Sequence, residues 1–556
     1  MKIHGVARLL VVMALLSVAA CQRQAPADVA SLVVVDARVW TGDSDNPWAE
    51  AVAVVGDVII AVGSADQISA YVGEETQILS ADGSMLTPGF IDTHVHFVDG
   101  GAALASVQLR DASTPEEFTR RIAAFADTIE PGEWILGGTW DHENWGGELP
   151  RRDWIDEVTP DNPVWVNRLD GHMALANSLA LKAGGVDADT ADIAGGEILR
   201  YDDGRPAGIL KDNAMFPVGA AVPRASDALL DRQVIAAMKY VASNGVTSVH
   251  DMADWNSLAV YRRLHARGEL LTRIYSIAPL SNWEQLRDDV AENGRGDDWL
   301  KTGGLKGFMD GSLGSHTAAF LEPFTDAPGD RGFLINELDN MRAWITAADD
   351  AGLHVMVHAI GDSAIRDLLD IYLDAADANG ARDRRFRIEH AQHIHPDDIE
   401  RFAIQDIIAS MQPYHAIDDG RWADRVIGTE RSKTTYAFRS LIDAGARVTF
   451  GSDWYVAPAT PIEGIYAAVT RRTIDGANPG GWVPEQKITV EEALRAYTSE
   501  AAYASFEENI KGTIKVGMLA DLVLLDRDIT TIPPETIPET QVLATIVGGK
   551  IVYSSM

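Results

Sequence analysis

The sequence holds one cysteine, Cys21, in 556 residues. No disulfide can form within the chain, and a zinc site built on thiolates is excluded. Any metal centre must draw on histidine, carboxylate or a modified lysine. Basic residues are also scarce: 47 Lys and Arg stand against 82 Asp and Glu, a formal net charge of −35. That balance repels phosphate backbones and anionic membrane surfaces, so no nucleic-acid partner is expected. Its plain consequence is solubility; steering of a cationic substrate is the sharper reading. A Gly-x-Ser-x-Gly nucleophile motif is missing, as are internal repeats and low-complexity tracts. Apolar residues are plentiful, at 46%, and spread along the whole length. They permit a large buried core and exclude a disordered chain.

Lys2 and Arg8 supply positive charge before the apolar run Leu9 to Leu16, and small residues lead to Val18-Ala19-Ala20-Cys21. The run is too short for a permanent membrane span and reads as an export signal. Its end resembles a bacterial lipobox, in which the cysteine is lipidated. Residues 1–21 are expected to be a lipoprotein signal and residues 22–30 a flexible tether. Gln22 after the cysteine resembles lipoproteins sorted to the periplasm-facing outer membrane, so the membrane would be met only through a lipid on Cys21. The alternative is an ordinary cleaved signal with a chance cysteine.

Residues 31–87 alternate in short apolar runs, and Gly56-Asp57 marks a hairpin turn between two of them. At the other end Asp521 to Asp526 and Ala544 to Tyr553 also read as strands. Neither end has apolar surface for a core of its own, so residues 31–87 and 505–556 are expected to form one composite β-sandwich. Between them, in residues 88–504, apolar strands ending in polar residues alternate with helical stretches, the βα pattern of a parallel α/β barrel. The eight candidate strands are Phe90 to His96, Val246 to Asp251, Arg273 to Ala278, Leu305 to Asp310, Val355 to Ile360, Arg387 to Ala391, Ile407 to Met411 and Val448 to Asp453. Residues 98–235, with extra strands Trp134 to Trp140 and Val164 to Leu169, read as an inserted subdomain.

His94 and His96 stand two apart on the first strand and therefore share a face. At the mouth of a barrel that face looks inward, where two imidazoles grip one metal ion. Lys306, His358, His390 and Asp453 stand at or near the ends of the fourth, fifth, sixth and eighth strands. Each has a bland alternative: a lysine reaching solvent or Asp310, a satisfied core histidine, a carboxylate capping the next helix. Five strand ends carrying metal-capable groups in order are a stronger signal than any one of them.

That order, with Asp310-Gly311-Ser312-Leu313-Gly314-Ser315, Ile388-Glu389-His390-Ala391-Gln392, Gln412-Pro413-Tyr414-His415 and Gly451-Ser452-Asp453, resembles the metal-dependent amidohydrolase superfamily. The likeness is nearest to its third sequence group, which includes N-substituted formamide deformylases, and covers residues 31–556. It implies a TIM-like (β/α)₈ barrel and one or two zinc ions or other divalent metals. His94, His96 and Asp453 would hold one metal, His358 and His390 the second, and Lys306, N6-carboxylated by CO₂, would bridge them. It implies hydrolysis of a small-molecule amide or N-substituted formamide by metal-activated hydroxide, with Asp453 as catalytic acid–base. The same hydroxide serves a lactone, ester, cyclic imide or carbamate; a non-catalytic ligand-binding lipoprotein and a metal-dependent isomerase or lyase are the readings from other classes. His316 stands where the family pattern leads one to expect arginine.

His172, His250 and His415 end strands and are candidates for substrate hydrogen bonds, with structural histidine the equal alternative. Trp140, in a Gly-flanked loop with Asn144 and Trp145, is a candidate pocket wall, and His316 a candidate substrate contact. His354 is expected to be structural, and His142, His265, His393 and His395 to be surface or loop residues.

Overall fold

A computed structural model describes residues 29–556. Cys21, the signal segment and nearly all of the tether lie outside the described residues. Eight parallel strands form the central sheet: β1 (Phe90–Val95), β2 (Val246–Met252), β3 (Arg273–Pro279), β4 (Leu300–Phe308), β5 (His354–Ala359), β6 (Arg387–His390), β7 (Ile408–Met411) and β8 (Val448–Phe450). Every residue of β1, β5, β6, β7 and β8 is buried. A parallel sheet covered on both faces needs this, which is why these segments read as near-continuous apolar runs. The fourth strand begins five residues before the expected Leu305. Its opening, Leu300-Lys301-Thr302-Gly303-Gly304, is polar and Gly-rich, yet it pairs with Ile274 to Ile277 of β3.

The ring closes just beyond β8. The Asp453 amide donates to the His94 carbonyl at 2.7 Å, and the His96 amide donates to the Trp454 carbonyl at 2.6 Å. Gly451 sits where this closure is tightest, because a Cβ there would meet the His94 nitrogen at 2.6 Å. Glycine thus lets the backbone carrying Asp453 press against the strand carrying His94. Past β4, Asp310 accepts from the amides of Ile360 (3.0 Å), Gly361 (2.8 Å) and Ala319 (2.8 Å), tying the end of β4 to that of β5.

The two ends of the chain share a sheet. Arg38–Trp40, Trp48–Ala49 and Met85–Pro88 from the N-terminal part join Leu522–Leu525, Val542–Val547 and Lys550–Ser554. A four-stranded sheet of Leu32–Val35, Ala51–Val55, Val58–Gly63 and Gln77–Ser80 faces it across a common core of Leu32, Val34, Leu86, Leu522, Leu524 and Ile546. Alternation splits one strand between two cores: Leu522 and Leu524 enter the sandwich, Val523 and Leu525 enter the barrel. A buried ion pair, Arg273 to Asp521 at 2.6 Å, joins the two bodies.

Between β1 and β2 a further six-stranded sheet runs from Val107 to Asp212. This is shorter than the stretch 98–235. Helix Asp227–Ser243 buries Val234, Ala237, Met238 and Val241 in the barrel core and packs on helix Phe97–Ala103. Both helices therefore belong to the barrel.

Candidate active site

The C-terminal ends of the barrel strands bring together the six side chains named from the sequence. His94 Nε2 lies 3.5 Å and His96 Nε2 3.3 Å from Asp453 Oδ1. Lys306 Nζ is 3.2 Å from His94 Nε2. The His390 ring centroid is 4.8 Å from that of His94 and 4.5 Å from that of His358. Ligand atoms of His94, His390 and Asp453 all lie within 4.8 Å of one another. That trio cuts across the division of ligands between two metals that the family likeness implies.

Partners beneath the site decide which ring nitrogen faces the centre. His94 Nδ1 donates to Glu389 Oε2 at 2.6 Å, so its Nε2 carries the lone pair. His390 Nδ1 donates to Gln412 Oε1 at 2.8 Å and likewise presents Nε2. His358 is reversed: its Nε2 donates to the Gly311 carbonyl at 2.9 Å, leaving Nδ1 as the basic atom. Hydrogen bonds of this kind fix tautomer and ring direction for metal-binding imidazoles.

Burial pushes His94, His358 and His390 well below the usual histidine range, so they are neutral with lone pairs available. Burial also lowers Lys306, to about 8. Burial acts to raise Asp453, but His94 and His96 beside it hold the carboxyl below the usual carboxylate range. Asp453 Oδ1 and His415 Nε2 are buried and have no hydrogen-bond partner. An anionic oxygen without a hydrogen-bond partner, close to the Nε2 lone pairs of His94 and His390, fits a divalent cation, as does a donor set of imidazole nitrogen and carboxylate oxygen.

Above the six residues lies a narrow cavity. His172 and His415 line it, with Arg168 and Asp170 from the insertion. His172 reaches in from the inserted sheet, its ring 5.0 Å from that of His358, and its Nδ1 donates to Asp212 Oδ1 at 2.6 Å. Asp212 takes a left-handed φ of 46°, strained for a residue other than glycine. His415 lies parallel to His390 at 6.5 Å, its Nε2 4.0 Å from Asp453 Oδ2.

Other expectations need correction. Trp140 is no pocket wall: it is fully buried in the insertion core against Phe118, its indole N–H donating to the Val166 carbonyl at 2.8 Å. A large apolar ring at the end of a strand found its partner inside the subdomain. His250 does not reach the cavity. It is buried below the site, where Arg387 donates to its Nδ1 at 2.9 Å. His316 pairs with Asp326 at 3.0 Å and packs on Phe324, away from the cavity lining. His142 and His393 are buried, held by Arg168 and Thr435. His354, buried between Tyr275 and the Arg385 carbonyl, is structural.

Sequence reasoning missed Glu389, Gln412, Arg387, Arg168 and Asp212. A signal existed for the first three. Arg387 and Glu389 alternate in an apolar strand, so both face the barrel interior, and buried charges need partners. Arg387 Nε lies 2.8 Å from Glu389 Oε1. Nothing local marks Asp212, whose role comes from the insertion folding back.

The model of the amidohydrolase family matches residues 77–553. Protein LONG AFTER FAR-RED 3 of Arabidopsis thaliana is 39% identical over 538 residues, covering 94% of this chain and 92% of that protein. N-substituted formamide deformylase of Arthrobacter pascens is 29% identical, covering 94% and 98%. An uncharacterized metal-dependent hydrolase from Pyrococcus horikoshii superposes with a TM-score of 0.74 at 25% identity, covering 91% of this chain and 99% of that one. With the barrel and the His-His-Asp cluster at its mouth, these matches establish that the chain belongs to the amidohydrolase family, metal-dependent hydrolases acting on carbon–nitrogen bonds.

Proposed function

We propose that the chain hydrolyses an N-substituted formamide or a similarly small acyl amide. The reading is carried by the unpartnered Asp453 oxygen, which lies 3.5 Å from His94 Nε2 and 3.3 Å from His96 Nε2 in a cavity that Lys306, His358 and His390 also line. Likeness to the formamide deformylase of Arthrobacter pascens supports it.

His94, His96, Lys306, His358, His390 and Asp453 are the residues that would hold the cation, zinc being our assignment. When bound, a divalent cation would supply Lewis acidity to the site. Burial that lowers Lys306 increases its neutral amine fraction, the form that reacts with CO₂, which supports an N6-carboxylated lysine. Asp453, ionised and short of one hydrogen bond, accepts a proton from the attacking water and returns it to the departing nitrogen. His172 and His415 take hydrogen bonds from or give them to the substrate across the cavity. In the balanced reaction the C–N bond breaks, a C–O bond forms, and water's protons pass to the nitrogen and the solvent. We further propose that the chain is exported and held on the membrane by a lipid on Cys21.

The test is a substrate panel of N-benzylformamide, N-acetyl amino acids and γ-butyrolactone, with and without a chelator. Chelator-sensitive hydrolysis of N-benzylformamide is expected. Turnover confined to the lactone, or insensitive to metal removal, would sink the proposal.

A further inference from the structure

Two cavities meet at the candidate site and share His96, Lys306 and Phe308. The one over the ends of β4 to β8 is narrow, with a volume of about 60 Å³. That is room for a handful of heavy atoms at most. The other lies over the ends of β1 to β4 and measures about 820 Å³, the size of a full small-molecule pocket. A scissile bond at the shared edge therefore divides a substrate into a small half and a large half.

Charge decides which half goes where. Four carboxylates line the wide lobe: Asp99, Asp227, Asp251 and Asp254. Asp251 is satisfied by the Phe97 amide at 2.7 Å and the Tyr261 hydroxyl at 2.5 Å. Asp254 caps helix Trp255–Ala266 through the Ser257 amide. Asp227 faces Arg263 at 3.4 Å. Asp99, on the first turn after His96, has no hydrogen bond or ion pair among the described residues and is exposed to the lobe. Of the basic side chains lining the lobe, Arg263 is taken by Asp227, Lys306 lies at the shared edge against His94 Nε2, and Arg224 stands on the exposed run 223–229. Hydrolysis of an amide yields a carboxylate and an amine that becomes ammonium at neutral pH. A free carboxylate beside the reacting centre repels the first and attracts the second.

We propose that the wide lobe is the subsite for the amine half of the substrate, a bulky group bearing a second, cationic nitrogen held by Asp99, and that the narrow lobe takes an acyl half of very few atoms. This rests on the small-amide reading above and extends it. Water adds to the carbonyl carbon, the C–N bond breaks, and the amine leaves into the acidic lobe after gaining a proton.

The experiment uses the metal-loaded protein with formamide, N-benzylformamide and N-(4-aminobutyl)formamide as probes, and measures binding of butane-1,4-diamine by calorimetry. Asp99→Asn should lower the ratio of kcat/KM for the aminobutyl over the benzyl substrate about tenfold. Ala259→Trp, an exposed helix position on the lobe, should lower kcat/KM for N-benzylformamide relative to formamide. The diamine should bind the wild type and bind Asp99→Asn more weakly. Unchanged ratios in both variants would overturn the assignment. If no formamide is hydrolysed, the formyl reading falls and the diamine decides the lobe: weaker binding by Asp99→Asn upholds it, while no wild-type binding or equal binding removes it.

Discussion

His94 Nδ1 and Glu389 Oε2 lie 2.6 Å apart, and neither side chain is accessible to solvent. The carboxylate can only accept, so it fixes the imidazole as the tautomer whose Nε2 points toward Asp453 and Lys306. Arg387 holds the other Glu389 oxygen and also donates to the Thr93 carbonyl at 2.7 Å, so the clamp is anchored to β1 itself.

Glu389→Gln should therefore weaken metal affinity by about 10- to 100-fold while leaving all six candidate ligands in place. Competition with a chromogenic chelator reads this directly. Affinity equal to wild type in a folded variant would show that the bond is incidental.

His94→Ala and Asp453→Asn should each abolish turnover with the barrel still folded, as followed by circular dichroism and steady-state rates. Near-normal rates in either variant would refute the roles given to them. Lys306→Ala should lose activity and bound metal together, and a short carboxylic acid added to the buffer should restore part of both. Metal content that stays at the wild-type level would count against a bridging lysine.

Asp170 offers a stability test that needs no metal. Burial acts to raise its pKa, but Arg168 at 2.6 Å, with His172 and Ser312, brings it down from 3.8 to about 2. A depressed carboxyl contributes stability that is full above its unfolded value and lost as pH falls through the folded one, so the window runs from near pH 4 to near pH 2. The contribution is roughly 2 kcal/mol. Asp170→Asn should melt below the wild type at pH 6, with the gap closing as both approach pH 2. A gap independent of pH would refute this assignment.

Asp521→Ala removes one partner of a buried ion pair and leaves Arg273 uncompensated between barrel and sandwich. It also deprives the Gly548 amide of its acceptor at 2.9 Å. A loss of about 3–5 kcal/mol is expected from urea unfolding. A change below about 1 kcal/mol would mean that Arg273 is solvated by other means.

The eight barrel strands were legible because a doubly covered parallel sheet demands unbroken apolar runs, and the convergence of the candidate ligands was legible because barrel chemistry sits at strand ends. The start of β4 escaped notice because Lys301, Thr302 and two glycines carry no apolar pattern. Glu389 and Gln412 stood inside motifs already picked out, yet a residue that orients another looks in sequence like any buried polar group. Trp140 misled for a related reason: an aromatic residue near glycines suits a pocket rim and a subdomain core equally well, and only the fold of the insertion separates them. His172 could be suspected, but its partner Asp212 lies forty residues on, with no periodicity linking them.

Strand Met85–Pro88 pairs with Leu522–Leu525 and is followed, after Gly89 alone, by β1 and its two histidines. During synthesis that pairing cannot form until almost the whole polypeptide has left the ribosome. The first strand of the barrel thus waits for some of the last residues translated, and loss of the final strands would unsettle the candidate ligands His94 and His96 from a great distance in sequence. A stop codon before residue 521 should therefore yield a protein poor in bound metal although every candidate ligand is present.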